Sequence, residues 1–155
     1  MAIFGAAQAL EMAVNIEENG AAFYASAAER ATDGELRELF TELASREEAH
    51  RQVFESMAER LEPASGPRRS DVGDYASFLE VALDHAVFSG QDKALRMAEQ
   101  ADTRSEALRA AMGFEKDTML FYYDLREMVA KKDRETISKV IQEEKQHLRR
   151  LADSV

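Results

Sequence analysis

Apolar and small side chains recur along most of this chain at spacings of three, four and seven residues, which is the repeat of an amphipathic α-helix. No convincing strand pattern is present. The periodicity predicts four long helices, over roughly residues 5–31, 35–61, 104–131 and 134–152. We therefore predict an all-α protein.

Residues typical of helix ends agree with this division. Thr32-Asp33-Gly34-Glu35 and Thr103-Arg104-Ser105-Glu106 each have the order of a capping box, and Asp133 is expected to cap the last long helix. The segment from Pro63 to Pro67, with a serine and a glycine between its prolines, is the clearest break in the chain.

The connections predict the topology. Short turns force the first helix against the second and the third against the fourth, which gives two antiparallel hairpins over residues 5–61 and 104–152. A helix of about 27 residues is roughly 40 Å long. The crossover over residues 62–103 is therefore expected to run back along the bundle, with shorter helices near 74–88 and 91–101. All 155 residues are expected to form a single domain, a four-helix bundle.

Two of the three histidines occupy the same local frame, in Glu47-Glu48-Ala49-His50 and in Glu144-Lys145-Gln146-His147. In each frame the glutamate and the histidine lie nearly one turn apart on one face of a helix. Another glutamate precedes each frame, Glu17 by 30 residues and Glu115 by 29. A single frame of this kind usually lies on a solvated acidic surface. Because the frame is repeated with matching intervals, a shared site is much more favoured here.

All four long helices thus place one glutamate on the face that meets the others. Converging carboxylates repel one another and, without cations, are expected to have raised pKa values and to destabilise the protein as the pH rises. Two metal ions would reverse this repulsion, and mixed carboxylate and imidazole ligation suits iron or manganese, with zinc also possible. The predicted ligands are Glu17, Glu47, His50, Glu115, Glu144 and His147.

Residues beside these predicted ligands suggest secondary roles. Tyr24 and Tyr122 each lie seven residues after an upstream glutamate, so three roles are open: hydrogen bonding to a ligand, scavenging of a stray oxidising equivalent, or packing as ordinary core tyrosines. One turn after the same glutamates, Gly20 is expected to leave space for a small oxidant and Thr118 to donate a hydrogen bond. Glu143 points about 100° away from its ligand neighbour and is expected in solvent, as are two other acidic neighbours, Glu18 and Glu48.

Composition excludes several classes of site. The chain has no cysteine, which excludes disulfides, thiolate zinc sites and rubredoxin-type iron. Its net charge of −10 argues against nucleic acid as a partner. No window is long and apolar enough for a membrane span, and the first residues do not resemble a signal peptide, so a cytoplasmic protein is expected.

The chain resembles the rubrerythrin-like branch of the ferritin-like superfamily over nearly all of its length. The match is best at residues 16–24, 47–50, 113–117 and 143–147. The resemblance implies a ferritin-like bundle with a di-iron centre, held by the six predicted ligands, that reacts with hydrogen peroxide or dioxygen as a peroxidase or a ferroxidase. Because the chain has no cysteine-bound iron, electrons are expected to come from a separate donor protein.

Two other functions remain open, a metal-binding or iron-handling protein without turnover and a purely structural helical module. We also expect a homodimer, because the crossover carries apolar residues that a neighbour can bury. The break between Pro63 and Ser70 makes an exchange of hairpins between the two subunits conceivable. The apolar residues in question are Phe78, Leu79 and Phe88.

Overall fold

The computed structural model describes residues 5–61 and 90–155. Within these ranges the chain forms five α-helices and no strand, so the prediction of an all-α fold is confirmed. The predicted helix near 74–88 and the break after Pro63 lie outside the described residues. The helices are α1 (Ala6–Arg30), α2 (Gly34–Glu59), α3 (Gln91–Gln100), α4 (Arg104–Met128) and α5 (Lys131–Asp153).

The helix ends confirm one capping prediction and change two others. Thr103 and Glu106 form the expected reciprocal capping box at the start of α4. At α2 the cap is Asp33, whose side chain accepts a hydrogen bond from the Glu35 backbone N–H, so Thr32 is not the cap. The prediction that Asp133 caps α5 is wrong, because Ala130 occupies the cap position and Asp133 lies in the first turn.

The long helices pack as two hairpins, α1 against α2 and α4 against α5, and α1 also contacts α3 and α4. The buried apolar side chains form two clusters. The first cluster includes Leu10, Phe54, Tyr122, Leu125 and Ile137. The second includes Phe23, Tyr24, Phe40, Leu108 and Leu151.

One buried glutamate on each long helix separates the residues of the first cluster from those of the second. On α1, for example, Ala13 belongs to the first cluster, Phe23 belongs to the second, and Glu17 lies between them. The same order along the chain holds on α5, and the reverse order holds on α2 and α4. The bundle therefore has a polar layer across its middle. None of the described helices combines the length and apolar character needed to span a bilayer.

Candidate metal centre

The polar layer contains all six predicted ligands. The four glutamates are completely buried, and His50 and His147 are 3% and 4% exposed. Their side chains form two groups that share Glu47 and Glu144, and within each group one candidate ligand atom per residue lies within 4.8 Å of the others. The first group adds Glu17 and His50, and the second adds Glu115 and His147.

Both histidines point their Nδ1 atoms at the shared Glu144. His50 Nδ1 lies 2.9 Å from Glu144 Oε1, and His147 Nδ1 lies 2.9 Å from Glu144 Oε2. The two imidazole rings are stacked, with centroids 5.7 Å apart and planes inclined by 22°. Glu47 Oε1 is 3.4 Å from His147 Nδ1, and Glu17 Oε2 is 3.7 Å from His50 Nδ1.

The hydrogen bonding of the carboxylate oxygens indicates whether these residues fit a cation. Both oxygens of Glu47 and one oxygen each of Glu17, Glu115 and Glu144 are buried and have no hydrogen-bond partner among the described residues. Buried carboxylates normally have hydrogen-bond partners, and burying several without partners destabilises the folded protein unless a cation compensates their charge. Carboxylate oxygens and imidazole nitrogens directed at common points are the donors that iron and manganese take. The residues present therefore fit a metal site.

The two predicted tyrosines contact the centre, each from the opposite hairpin. The Tyr122 hydroxyl on α4 donates to Glu17 Oε1 on α1, and the Tyr24 hydroxyl on α1 donates to Glu115 Oε1 on α4. Each terminal glutamate thus has one oxygen fixed by a phenol, and its other oxygen forms no hydrogen bond within residues 5–61 and 90–155. Burial, and then the charge of the accepting glutamate, raises the pKa of both phenols well above the usual range, so both keep their protons.

Three of the four carboxyl groups behave as expected without a cation. Burial raises the pKa of Glu47 and of Glu115 well above the usual range, and the charge of Glu144 raises both further. The pKa of Glu17 is raised by the same two causes. Glu144 is the exception. Burial again acts to raise its pKa, but the two histidines 2.9 Å away outweigh burial and hold this pKa below its usual value.

The pKa values of the two histidines are raised, which favours their charged forms beside the Glu144 carboxylate. Burial opposes the charged form of His50, but Glu144 and Glu17 outweigh burial and raise its pKa to about 12. Glu144 and Glu47 likewise raise the pKa of His147 to about 9 against the effect of burial. Without a cation the centre therefore retains protons at neutral pH, and metal uptake has to displace them.

Glu143 contributes to the centre, although its position predicted a solvent-exposed side chain. The His50 Nε2–H donates to Glu143 Oε2 at 2.9 Å, and Arg46 donates to the same oxygen. A carboxylate behind a histidine fixes its ring and tautomer. Within the described residues, the structure shows no contact of this kind behind His147. The available sequence signal was the opposite charges of Arg46 and Glu143, which directly precede Glu47 and Glu144.

The expectation that Gly20 leaves space for an oxidant is wrong. A methyl group added at Gly20 would lie 2.5 Å from Phe114 Cζ and 2.8 Å from Glu47 Oε2, so these side chains already fill the space. Thr118, at the equivalent place on α4, is 2% exposed, and its hydroxyl has no hydrogen-bond partner in the described part of the chain.

Comparison with known proteins gives the same classification as the geometry. A crystal structure described as a ferritin-like diiron-carboxylate protein, from Thermotoga maritima, is similar with a TM-score of 0.69 and 25% sequence identity. The similarity covers 99% of this chain and 95% of that chain. No curated protein matches this sequence. The family profile named rubrerythrin matches residues 8–155, and the chain therefore belongs to the rubrerythrin family.

Proposed function

We propose that this protein is a rubrerythrin-like di-iron oxidoreductase that reduces hydrogen peroxide or dioxygen. The observation that carries the proposal is the pair of buried donor groups that share Glu47 and Glu144. Five of their carboxylate oxygens have no hydrogen-bond partner in the described part of the chain. Two shared carboxylates between two histidines suit a pair of ions better than a single ion. Iron is the proposed metal, and manganese and zinc use the same donors.

In this proposal each ion has one private glutamate and one private histidine. Glu17 and His50 would hold one ion, Glu115 and His147 would hold the other, and Glu47 and Glu144 would bind both. Iron would supply the electrons that reduce the oxidant. The protein would exclude bulk water, because all four ligand glutamates are completely buried.

Tyr24 and Tyr122 would have two roles. Each holds one oxygen of a terminal glutamate, which leaves the other oxygen to bind metal. Each phenol is also an oxidisable group in direct contact with its glutamate, so we propose that the pair scavenges stray oxidising equivalents. The electrons that return the iron to its ferrous state would come from a separate donor protein, because the chain has no cysteine to hold rubredoxin-type iron.

The test begins with metal analysis of protein loaded with ferrous iron under anaerobic conditions. We expect two irons per chain, and rapid growth of ferric absorption after mixing with peroxide or air-saturated buffer in a stopped-flow instrument. The double variant Glu47→Gln/Glu144→Gln should lose both ions. Glu18→Gln, an exposed neighbour of Glu17, is the matched control and should behave as wild type. An occupancy near one iron per chain would contradict the paired centre.

A non-catalytic metal-binding or iron-handling role is the second candidate. The complete burial of all four glutamates supports this role too, because a buried site can retain a metal without turnover. The same experiment separates the two functions. Two bound irons that stay ferrous for minutes in the presence of peroxide and dioxygen would support retention without turnover.

A further inference from the structure

Gly20 and Thr118 occupy equivalent places in the two halves of the centre. Each follows a terminal glutamate by three residues and precedes one of the two crossed tyrosines by four. Both residues are buried. Their surroundings differ, and this difference makes the α1 side of the centre unlike the α4 side.

On the α1 side, the space next to Gly20 is filled. The hypothetical methyl group at Gly20 lies 2.7 Å or less from two atoms of the Phe114 ring and 2.8 Å from Glu47 Oε2. Such distances are shorter than van der Waals contact, so the ring and the carboxylate lie directly against the helix backbone. The position next to Gly20, equivalent to that of the Thr118 side chain, is therefore already filled by these two side chains.

The α4 side has a hydroxyl group without a partner. Thr118 is 2% exposed, and its Oγ1 makes no hydrogen bond within the described residues. A threonine inside a helix often donates to the carbonyl oxygen four residues earlier, here that of Phe114, but this bond is not formed. A buried hydroxyl without a partner is destabilising unless a ligand satisfies it.

The position of Thr118 connects this hydroxyl with the centre. The residue lies on α4 between Glu115 and Tyr122, whose side chains both reach the polar layer. The two tyrosine hydroxyls already donate to glutamates. Thr118 is therefore the uncommitted hydroxyl donor on this wall of the described centre.

We infer that the Thr118 hydroxyl donates a hydrogen bond to an oxygen atom of the small oxidant, peroxide or dioxygen, on the α4 side of the centre. This inference rests on the proposed function and adds the side of approach and a residue that positions the oxidant. It makes Thr118 a positioning residue that favours small ligands able to accept a hydrogen bond.

Azide, a small anion that accepts hydrogen bonds, is the probe. Ferric protein is titrated with sodium azide and followed optically, for wild type, Thr118→Val and Thr118→Ser. The valine variant has nearly the same volume but no donor, and we expect it to bind azide about tenfold more weakly or worse, whereas the serine variant stays within about threefold of wild type. Thr41→Val, which removes a hydroxyl that donates to the Arg37 carbonyl oxygen on the exterior of α2, is the control and should change nothing.

The metal-free protein provides a second measurement. Replacing an unsatisfied buried hydroxyl with a methyl group should raise the urea midpoint of Thr118→Val, because the inferred bond is made only to the oxidant. A lower midpoint would mean that the hydroxyl has a structural partner, and it would overturn the inference.

The remaining outcomes separate this inference from the proposed function. Equal azide affinity in wild type and Thr118→Val, at equal iron content, would overturn the inference while the di-iron oxidoreductase stands. A reduced iron content in Thr118→Val would assign the hydroxyl to metal retention and would also overturn it. Failure of wild type to bind iron would overturn both.

Discussion

Tyr122 donates its hydroxyl proton to Glu17, a residue 105 positions earlier in the chain and in the other hairpin. Tyr24 returns the contact by donating to Glu115. Each hairpin therefore positions the terminal glutamate of the other. The prediction that these tyrosines contact the centre is consistent with the structure, but the crossing between hairpins follows only from how the helices pack.

The crossing predicts which metal position each tyrosine affects. Tyr122→Phe should weaken the position of Glu17 and His50, and Tyr24→Phe the position of Glu115 and His147. Each substitution should also cost about 1–3 kcal/mol of metal-free stability, because a buried carboxylate loses its donor. Calorimetric titration with Mn²⁺ and urea unfolding measure the two effects.

Tyr123→Phe is the control for both variants, because Tyr123 is 37% exposed and lies next to Tyr122. It should leave metal affinity and stability close to wild type. The crossed assignment would be wrong if Tyr122→Phe weakened the same position as His147→Ala.

The histidines should separate the two metal positions. His50→Ala and His147→Ala are each expected to weaken one ion much more than the other, because each imidazole belongs to one donor group whereas Glu47 and Glu144 belong to both. Stepwise metal titration of each variant measures this. Equal loss of both ions from either variant would contradict separate positions.

The opposite pKa shifts of Glu47 and Glu144 predict opposite effects of pH on two variants of the metal-free protein. The folded-state pKa of Glu47 is raised, so its stabilising contribution is complete below about pH 4.5 and is lost as the pH rises through the raised value. Glu47→Gln should therefore lose less stability than wild type between pH 5 and 8, as measured by urea unfolding in chelator.

Glu144→Gln should instead change the pH dependence of stability at acidic pH. The folded-state pKa of Glu144 is lowered, so its contribution is present above about pH 4.5 and is lost as the pH falls through the lowered value. At neutral pH the substitution leaves two charged histidines without their shared partner, and breaking such a buried ion pair costs about 3–5 kcal/mol. If stability changed with the same slope between pH 5 and 8 in both variants, the two carboxylates would have similar electrostatic environments, which would contradict the opposite pKa shifts.

Glu143 should matter for only half of the centre. Glu143→Gln removes the charged acceptor behind His50, and we expect metal at the Glu17 and His50 position to bind about 10–100-fold more weakly. Glu42→Gln is the matched control. Glu42 pairs with Arg150 between the same two helices and interacts electrostatically with His147, but it forms no hydrogen bond with His50 in the described part of the chain. An unchanged affinity in Glu143→Gln would remove Glu143 from the centre.

We further expect a homodimer. In addition to the apolar crossover residues outside the described ranges, Leu120 on α4 is 52% exposed. Sedimentation at tens of micromolar protein should give twice the mass of the chain, and a monomer would contradict the prediction.

Exchange of hairpins between subunits is separately testable. One variant carries Glu47→Gln and His50→Ala in its first hairpin, and the other carries Glu144→Gln and His147→Ala in its second. Co-refolding the two would rebuild one intact centre per mixed dimer only if the hairpins exchange. Metal binding that stays at the level of the separate variants would exclude the exchange.

The repeated frame was enough to predict that the six candidate ligand residues converge, because helical periodicity determines which residues share a face. It could not predict the low pKa of Glu144, which depends on its place between two stacked imidazoles. It also missed Glu143, because a helical wheel places this residue off the inward face, whereas packing of α5 against α2 brings it to His50. The start of α5 at Lys131 differs from the capping rule because the two-residue connection to α4 leaves Ala130 at the cap.

The polar layer interrupts what would otherwise be one apolar core, with the first cluster on one side and the second on the other. Ile16 packs against both clusters, but the layer otherwise separates them, so we expect the two ends of the bundle to open independently when no cation is bound. Bound ions would join all four long helices at this level, so that both ends unfold in a single transition. Metal would then determine the cooperativity of the fold as well as its chemistry, and hydrogen exchange at the two ends would become synchronous on loading.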